Sequence, residues 1–297
     1  LKKLFHQFGE FYNARIAGPS FLFPAILFFL VFSWIPIVWS VIISFQHYSV
    51  NPDEAPSWAG LENYSYLFSD PSFYAAWRNV LLFVILALLI GYFIPVILAI
   101  LVNEMRRCQG LLRLGYYLPA ILPVVVISLI WKYLYHPGTG GLFNTLLHPL
   151  GIGPVEWFFT DTMAIFSIVI MATWRGAGAT MIIYLAALQG VPSQLYEAAE
   201  IDGAGIWQRL WHITLPQILP IMSIILILQV IGTFKVFAEP FIMTKGKTMT
   251  IMSFIYEKAF HSINMGVATA MSMTLFVALV ILSLVYFHVQ KRVLSRL

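Results

Sequence analysis

Ser20 to Phe45 is an unbroken run of 26 residues without a single charged side chain. No other feature narrows the possible folds so sharply. Hydrocarbon about 30 Å thick is crossed by roughly 20 apolar residues in a helix. In lipid only a helix or a closed barrel satisfies its own backbone. Val80 to Val102 and Met265 to Val289 are likewise free of charge. Leu114 to Ile130 is shorter and continues through Trp131 to Tyr135. Met163 to Leu188 is interrupted only by Arg175, and Ile218 to Phe241 only by Lys235 and Glu239. Barrel strands would need alternating segments of about ten residues, and none is present. The expectation is therefore an all-α polytopic membrane protein with six transmembrane helices.

Composition removes the competing classes. Charged residues make up 10% of the chain and apolar residues 60%, where a soluble domain carries about 25% charge. Disorder, a coiled coil, collagen and a disulfide scaffold are all excluded, and Cys108 is the single cysteine. The net charge of +4 is scattered rather than patched, so it gives no nucleic-acid surface. The first apolar run is too long for the core of a cleaved signal peptide.

With six spans, both termini share one side. That side would hold Lys2, Lys3, Arg15, Arg106, Arg107, Arg113, Arg209, Lys291, Arg292 and Arg296, against Arg78, Lys132, Lys245, Lys247 and Lys258 on the other. The bias places both termini in the cytoplasm. It makes residues 1–17 a cytoplasmic segment ahead of a six-helix membrane domain over 18–297. Asp70-Pro71 reads as a helix cap followed by proline at the first helical position. A short amphipathic helix at the outer interface is expected before the second span. Pro36, Pro95, Pro119 and Pro123 each remove a backbone hydrogen bond and favour kinks.

The stretch from Gly190 to Pro216, between the fourth and fifth spans, is the most informative loop. Ser193 is a plausible N-cap, and Leu195, Ala198, Ala199 and Ile201 recur at helical spacing. Asp202-Gly203 signals a turn, because glycine accepts positive φ and can stop the helix. A second short helix would carry Ile206, Trp207, Leu210 and Trp211, with Pro216 and Pro220 opening the fifth span. For a loop facing water it is unusually apolar, edged by Glu197, Glu200 and Asp202. A helical linker resting on the membrane would also account for that composition.

The literal pattern is more specific. Glu197-Ala198-Ala199, three residues, Gly203, nine residues, Ile213, one residue and Leu215-Pro216 resemble the complete EAA signature of ABC-importer permeases. Thr173-Trp174-Arg175-Gly176, Tyr184 to Leu188, Gly60 to Tyr64 and Phe234-Lys235-Val236-Phe237 are similar to the carbohydrate-type group, the family of the maltose importer's membrane subunits. Lys245-Gly246-Lys247 departs from that group, where a glycine-rich turn ending in proline is usual. The resemblance implies a type I ABC importer fold, with the EAA loop at 190–216 serving as a coupling helix against an ATPase subunit. It implies that Glu197 pairs with a basic ATPase residue, Gly203 makes the bend and Ala198 and Ala199 pack closely. Asp202, Ile213, Leu215 and Pro216 complete that surface. A second related permease, two ATPase subunits and an extracytoplasmic sugar-binding protein would be the partners. ATP and Mg would be bound by those ATPase subunits, with no cofactor in this chain.

Catalysis within the chain is not expected. Gly246-Lys247-Thr248 resembles the end of a phosphate-binding loop, but its first glycine would fall at Phe241. The histidines form no spaced metal pair. Ionisable groups inside a span are functional candidates by default. Arg175 and Gln229 fall near mid-membrane, Trp174 could stack on a sugar ring, and Gly176, Gly178 and Ala179 leave room beside it. The family's sugar contacts match Arg175, Gly176, Ala179, Gln229, Thr233 and Val236. The alternatives are close helix packing for Gly176 and Ala179, a structural ion pair for Arg175, and a snorkelling i, i+4 pair for Lys235 and Glu239. An anionic sugar would suit Arg175. The expected function is ATP-driven import of a sugar or oligosaccharide by alternating access. An ion-gradient-driven secondary transporter would use Arg175, Lys235 and Glu239 as coupling groups instead, and a non-transporting ATPase anchor is a third reading.

Overall fold

The computed structural model describes residues 18–48, 55–105 and 108–294. The expected cytoplasmic segment 1–17, Arg106, Arg107 and Arg296 lie outside the described residues. Five helices are long and apolar enough to cross a membrane: α1 (Phe21–Ser44), α3 (Pro71–Glu104), α7 (Asp161–Gln189), α9 (Ile206–Phe234) and α12 (Met265–Arg292). A sixth span exists if α4 (Gln109–Ile121) and α5 (Val124–Leu134) count as one, bent by 96°. The third span, expected to kink at its prolines, is split into two helices. The cause is local. Leu122, preceding Pro123, is held extended at φ −70°, ψ 142°, because a residue before proline clashes in the helical region.

Three of the long helices widen into a single π-type turn just before a proline. The turns span Leu30–Trp34 ahead of Pro36, Ala87–Gly91 ahead of Pro95 and Leu210–Thr214 ahead of Pro216. In each case the residue four before the proline lies inside the wide turn. Proline cannot donate to that carbonyl and its ring crowds it, and one wider turn moves the carbonyl aside without breaking the helix.

The chain divides into two compact units, Leu1–Ser69 with Glu257–Thr274, and Asp70–Tyr256 with Leu275–Leu297. In the first unit, β1 (Gln46–His47) pairs antiparallel with β2 (Ser57–Trp58). The helix α2 (Glu62–Ser69) ends before Asp70, so it is not the short amphipathic helix expected to start at the Asp70-Pro71 cap. Its Asn63 is 4% exposed and donates to the carbonyls of Ser44 at 3.0 Å and Gln46 at 2.9 Å. Asn63 is thus a buried structural amide.

The second unit is built on α3, α7 and α9. Asp70 caps α3 through its carboxylate, 2.8 Å from the Ser72 N–H. That cap opens the spanning helix itself, nine residues before the charge-free run at Val80, because Arg78 and the polar first turns continue in helix. Two apolar clusters follow one another along α3 and α7. One joins Phe83, Trp131, Tyr135, Ile165, Ile168 and Met171. The other joins Tyr92, Val96, Ala99, Met181, Tyr184 and Leu185 with Ile218 and Met222 of α9. On α7, Gly178 lies against the backbone of α4, where a Cβ would overlap the Tyr116 carbonyl. Small residues of this kind let membrane helices approach closely. The remaining elements of this unit are α6 (Leu142–Leu147), α8 (Ser193–Ile201), α10 (Ala238–Met243) and α11 (Ile251–Tyr256).

Candidate functional site: a bent helical hook and a helix-lined cavity

The hook follows α7. Pro192, rather than Ser193, occupies the cap position of α8, and Ser193 is the first helical residue with no side-chain capping bond. The far end of α8 is closed by a full Schellman arrangement. Gly203 takes φ +75°, its N–H reaches the Glu200 carbonyl at 3.1 Å, and the Ala204 N–H reaches the Ala199 carbonyl at 2.8 Å. Left-handed φ costs an L-residue about 1–2 kcal/mol and costs glycine nothing, which explains the residue type.

After the bend, Gln208 reaches back to the Gly205 N–H at 2.8 Å, starting α9. The expected separate second helix is absent, because Ile206 to Phe234 form one continuous element through Pro216 and Pro220. An ion pair between Arg209 and Glu200 crosses the bend, and the Tyr196 hydroxyl meets Thr214 Oγ1 at 3.0 Å. Glu197, Ala198 and Asp202 are exposed, Ala199 and Ile213 are half-buried, and Pro216 is exposed. Leu215 packs on the Tyr92–Tyr184 cluster. Glu197 has no hydrogen-bond or ionic partner among the described residues. Ile201 at 87%, Ile206 at 75% and Trp207 at 72% exposure make the hook's rim apolar and bare.

The second feature is a cavity of about 510 Å³ walled by α3, α7 and α9. From α3 come Phe83, Ala87, Gly91 and Pro95; from α7, Thr173, Gly176, Ala177 and Thr180; from α9, Leu228, Gln229, Gly232 and Thr233. Lys235, Val236 and Glu239 close one end. Gln229 Nε2 donates to the Ala87 carbonyl at 2.7 Å, at the start of the wide turn in α3. Gly91 provides the clearance: a Cβ there would lie 3.0 Å from Thr173 Oγ1 and 3.1 Å from Gln229 Nε2. Thr233 Oγ1 donates to the Gln229 carbonyl at 2.8 Å, which leaves its lone pairs as acceptors.

Of the sequence candidates, Gly176, Gln229, Thr233 and Val236 line this cavity, while Trp174, Arg175 and Ala179 do not. Trp174 instead packs on Trp131, ring centroids 5.4 Å apart. Arg175 Nη2 pairs with Glu239 Oε1 at 3.3 Å. The expected Lys235–Glu239 pair is thereby corrected. Helix α9 ends at Phe234, Glu239 sits on the separate α10, and its carboxylate turns to Arg175. Gly91, Thr173 and Thr180 were missed by the sequence reading. A signal was available, since Thr173, Gly176, Thr180 and Ile183 recur at helical spacing on one face of α7. The phosphate-loop-like Gly246-Lys247-Thr248 lies in a tight turn. There Lys245 takes φ 56° and the buried Thr248 donates its N–H to Thr244 Oγ1 at 3.2 Å.

Residues 91–295 match the family described as binding-protein-dependent transport system inner membrane component. The probable ABC transporter permease protein YurN of Bacillus subtilis is 35% identical, with 91% of this chain and 94% of that protein covered. The arabinooligosaccharides transport system permease protein AraP of Halalkalibacterium halodurans is 32% identical, with 92% and 88% covered. A bacterial ABC transporter involved in the import of the acidic polysaccharide alginate superposes with a TM-score of 0.83 at 25% identity, covering 96% of this chain and 99% of that one. The ion-gradient alternative loses its footing against these relationships. The chain belongs to the family of binding-protein-dependent transport system inner membrane components: it is a membrane-spanning permease subunit of an ATP-driven importer, a transport component and not an enzyme.

Proposed function

We propose that the cargo is a saccharide and that the cavity walled by α3, α7 and α9 is its passage through this subunit. One observation carries the reading: α9 is a single helix that begins at the exposed hook and ends at the cavity wall. From Ile206 to Gln229 is 23 residues, about 35 Å at 1.5 Å per residue. A continuous helix of that length is a stiff lever, so force applied at the hook reaches Gln229 and Thr233 directly. The hook, with bare Glu197, small Ala198 and Ala199 and an apolar rim, suits docking into a cleft on a separate ATPase subunit. Glu197 supplies a carboxylate for a basic partner there, and Asp202, Gly203, Ile213, Leu215 and Pro216 hold its shape. Each of two such ATPase subunits would bind ATP and Mg. A second related permease would complete the pore, and an extracytoplasmic sugar-binding protein would deliver cargo. In this arrangement the hook and both termini face the cytoplasm.

The walls fit a sugar in chemical terms. Threonine hydroxyls, the Gln229 carbonyl and the Glu239 carboxylate are set among apolar surfaces, the mixture found in small-molecule sites. Relatives of this chain carry saccharides by name, the arabinooligosaccharide permease among them. The test is uptake by the assembled transporter in proteoliposomes. Saccharide accumulation should survive collapse of proton and sodium gradients and stop when ATP is withheld. Uptake that follows an ion gradient without ATP, or no saccharide uptake with every partner present, refutes the reading.

A further inference from the structure

Arg175 was the natural candidate to select an anionic cargo, and the structure gives it another task. Its Nη2 lies 3.3 Å from Glu239 Oε1, the two side chains being 30% and 13% exposed. Glu239 lines the cavity and Arg175 does not. The guanidinium therefore stands behind the carboxylate, and the cavity meets the negative member of the pair. Glu239 Oε2 accepts no hydrogen bond among the described residues. The Arg175 Nε, buried, also has no partner. Lys235 is the other charged group on the wall, four residues earlier and in no ion pair among the described residues. The two wall charges cancel, so the passage offers an anion no net attraction.

Resting on the saccharide reading, we infer that Glu239 is a cargo-binding residue that selects neutral, hydroxyl-rich saccharides over uronates, with Arg175 as its positioning residue. A carboxylate is acceptor-only; one oxygen is held by Arg175, and the other accepts no hydrogen bond among the described residues although Glu239 lines the cavity. A sugar hydroxyl can donate to that free oxygen, and charge-assisted bonds of this kind are among the stronger ones. A uronate carboxylate brought to the same place has no proton to donate and meets like charge. Desolvation in the passage makes both effects larger than in water. The contact with Arg175 Nη2 at 3.3 Å holds the Glu239 carboxylate in place. The Thr233 lone pairs and the Gln229 Oε1 continue the row of acceptors facing the cargo.

The experiment uses the assembled transporter in detergent and equilibrium dialysis with two probes, maltotriose and trigalacturonate. The wild type should bind maltotriose more tightly. Glu239→Gln should weaken maltotriose about tenfold, as loss of a bond to a charged group does, and narrow the gap between the probes. The double exchange Arg175→Glu with Glu239→Arg keeps the ion pair but turns the guanidinium to the cavity, so it should reverse the preference. A wild type that prefers trigalacturonate overturns the inference and leaves the saccharide reading intact. A double exchange with wild-type preference also overturns it, since only a structural role survives that swap. Binding of neither probe by the wild type removes the saccharide reading and this inference together. If the double exchange fails to assemble, the single Glu239→Gln variant still reads the role of the carboxylate, and an unchanged gap between the probes there overturns the inference.

Discussion

Replacement of Gly203 isolates backbone conformation from every other contribution at the hook. Its φ is +75°, and a Cβ added there meets nothing within 4 Å, so Gly203→Ala introduces no clash. The cost is that of holding an L-residue in the left-handed region, about 1–2 kcal/mol. Asparagine tolerates that region better than alanine, so Gly203→Asn should cost less although it is larger. Proline is worst, because its φ is fixed near −65° and it lacks the N–H that Gly203 gives to Glu200. A cost of 1–2 kcal/mol is a factor of about 5–30 in a local folding equilibrium. Hydrogen exchange reads it directly at Ala204, whose N–H is tied to the Ala199 carbonyl at 2.8 Å. Protection there should fall by about that factor in the alanine variant, less in the asparagine variant, and vanish with proline. ATP-driven uptake should rank glycine, asparagine, alanine, proline. Equal protection in the glycine and alanine proteins would refute the reasoning, and so would normal uptake by the proline variant.

Three further outcomes are expected. Gly178→Ala forces a methyl group into the Tyr116 carbonyl, so it should lower thermal stability of the purified protein by about 1–3 kcal/mol; an unchanged Tm would contradict the packing of α7 on α4. Tyr92→Phe removes the 2.9 Å bond from its hydroxyl to the Met222 carbonyl and should cost about 0.5–1.5 kcal/mol in chemical unfolding, with the apolar cluster otherwise intact. Glu197→Lys should abolish co-purification of the ATPase subunits, because it sets like charge against a basic partner. Glu200→Gln, which loses only the contact with Arg209, should retain them, and equal retention by both would argue against Glu197 as the docking carboxylate.

Helices were legible in the sequence wherever lipid imposes a rule on composition. Absence of charge over some 20 residues located the membrane helices, and the Asp70 cap and the glycine bend could be read from residue types, because each depends on neighbours along the chain. Prolines announced irregularity without revealing its form. Pro36, Pro95 and Pro216 were absorbed by wide turns, while Pro123, beside an extended Leu122, split a span through 96°. Ile35 and Leu215, before Pro36 and Pro216, stay helical, whereas Leu122 is extended.

The chain's own letters therefore determined that it is a membrane helix bundle, which family it resembles and where its hook turns. They could do so because hydropathy, capping and turn chemistry are local properties. Only the tertiary structure decided which residues share the cavity. Trp174 and Gly176 are two apart, and helical geometry sends the first to Trp131 and the second to the cavity wall. Only the fold, likewise, gave Glu239 to Arg175 instead of Lys235. That choice depends on α9 ending at Phe234 and on the path of the chain beyond it, and it puts a carboxylate rather than a guanidinium on the cavity wall.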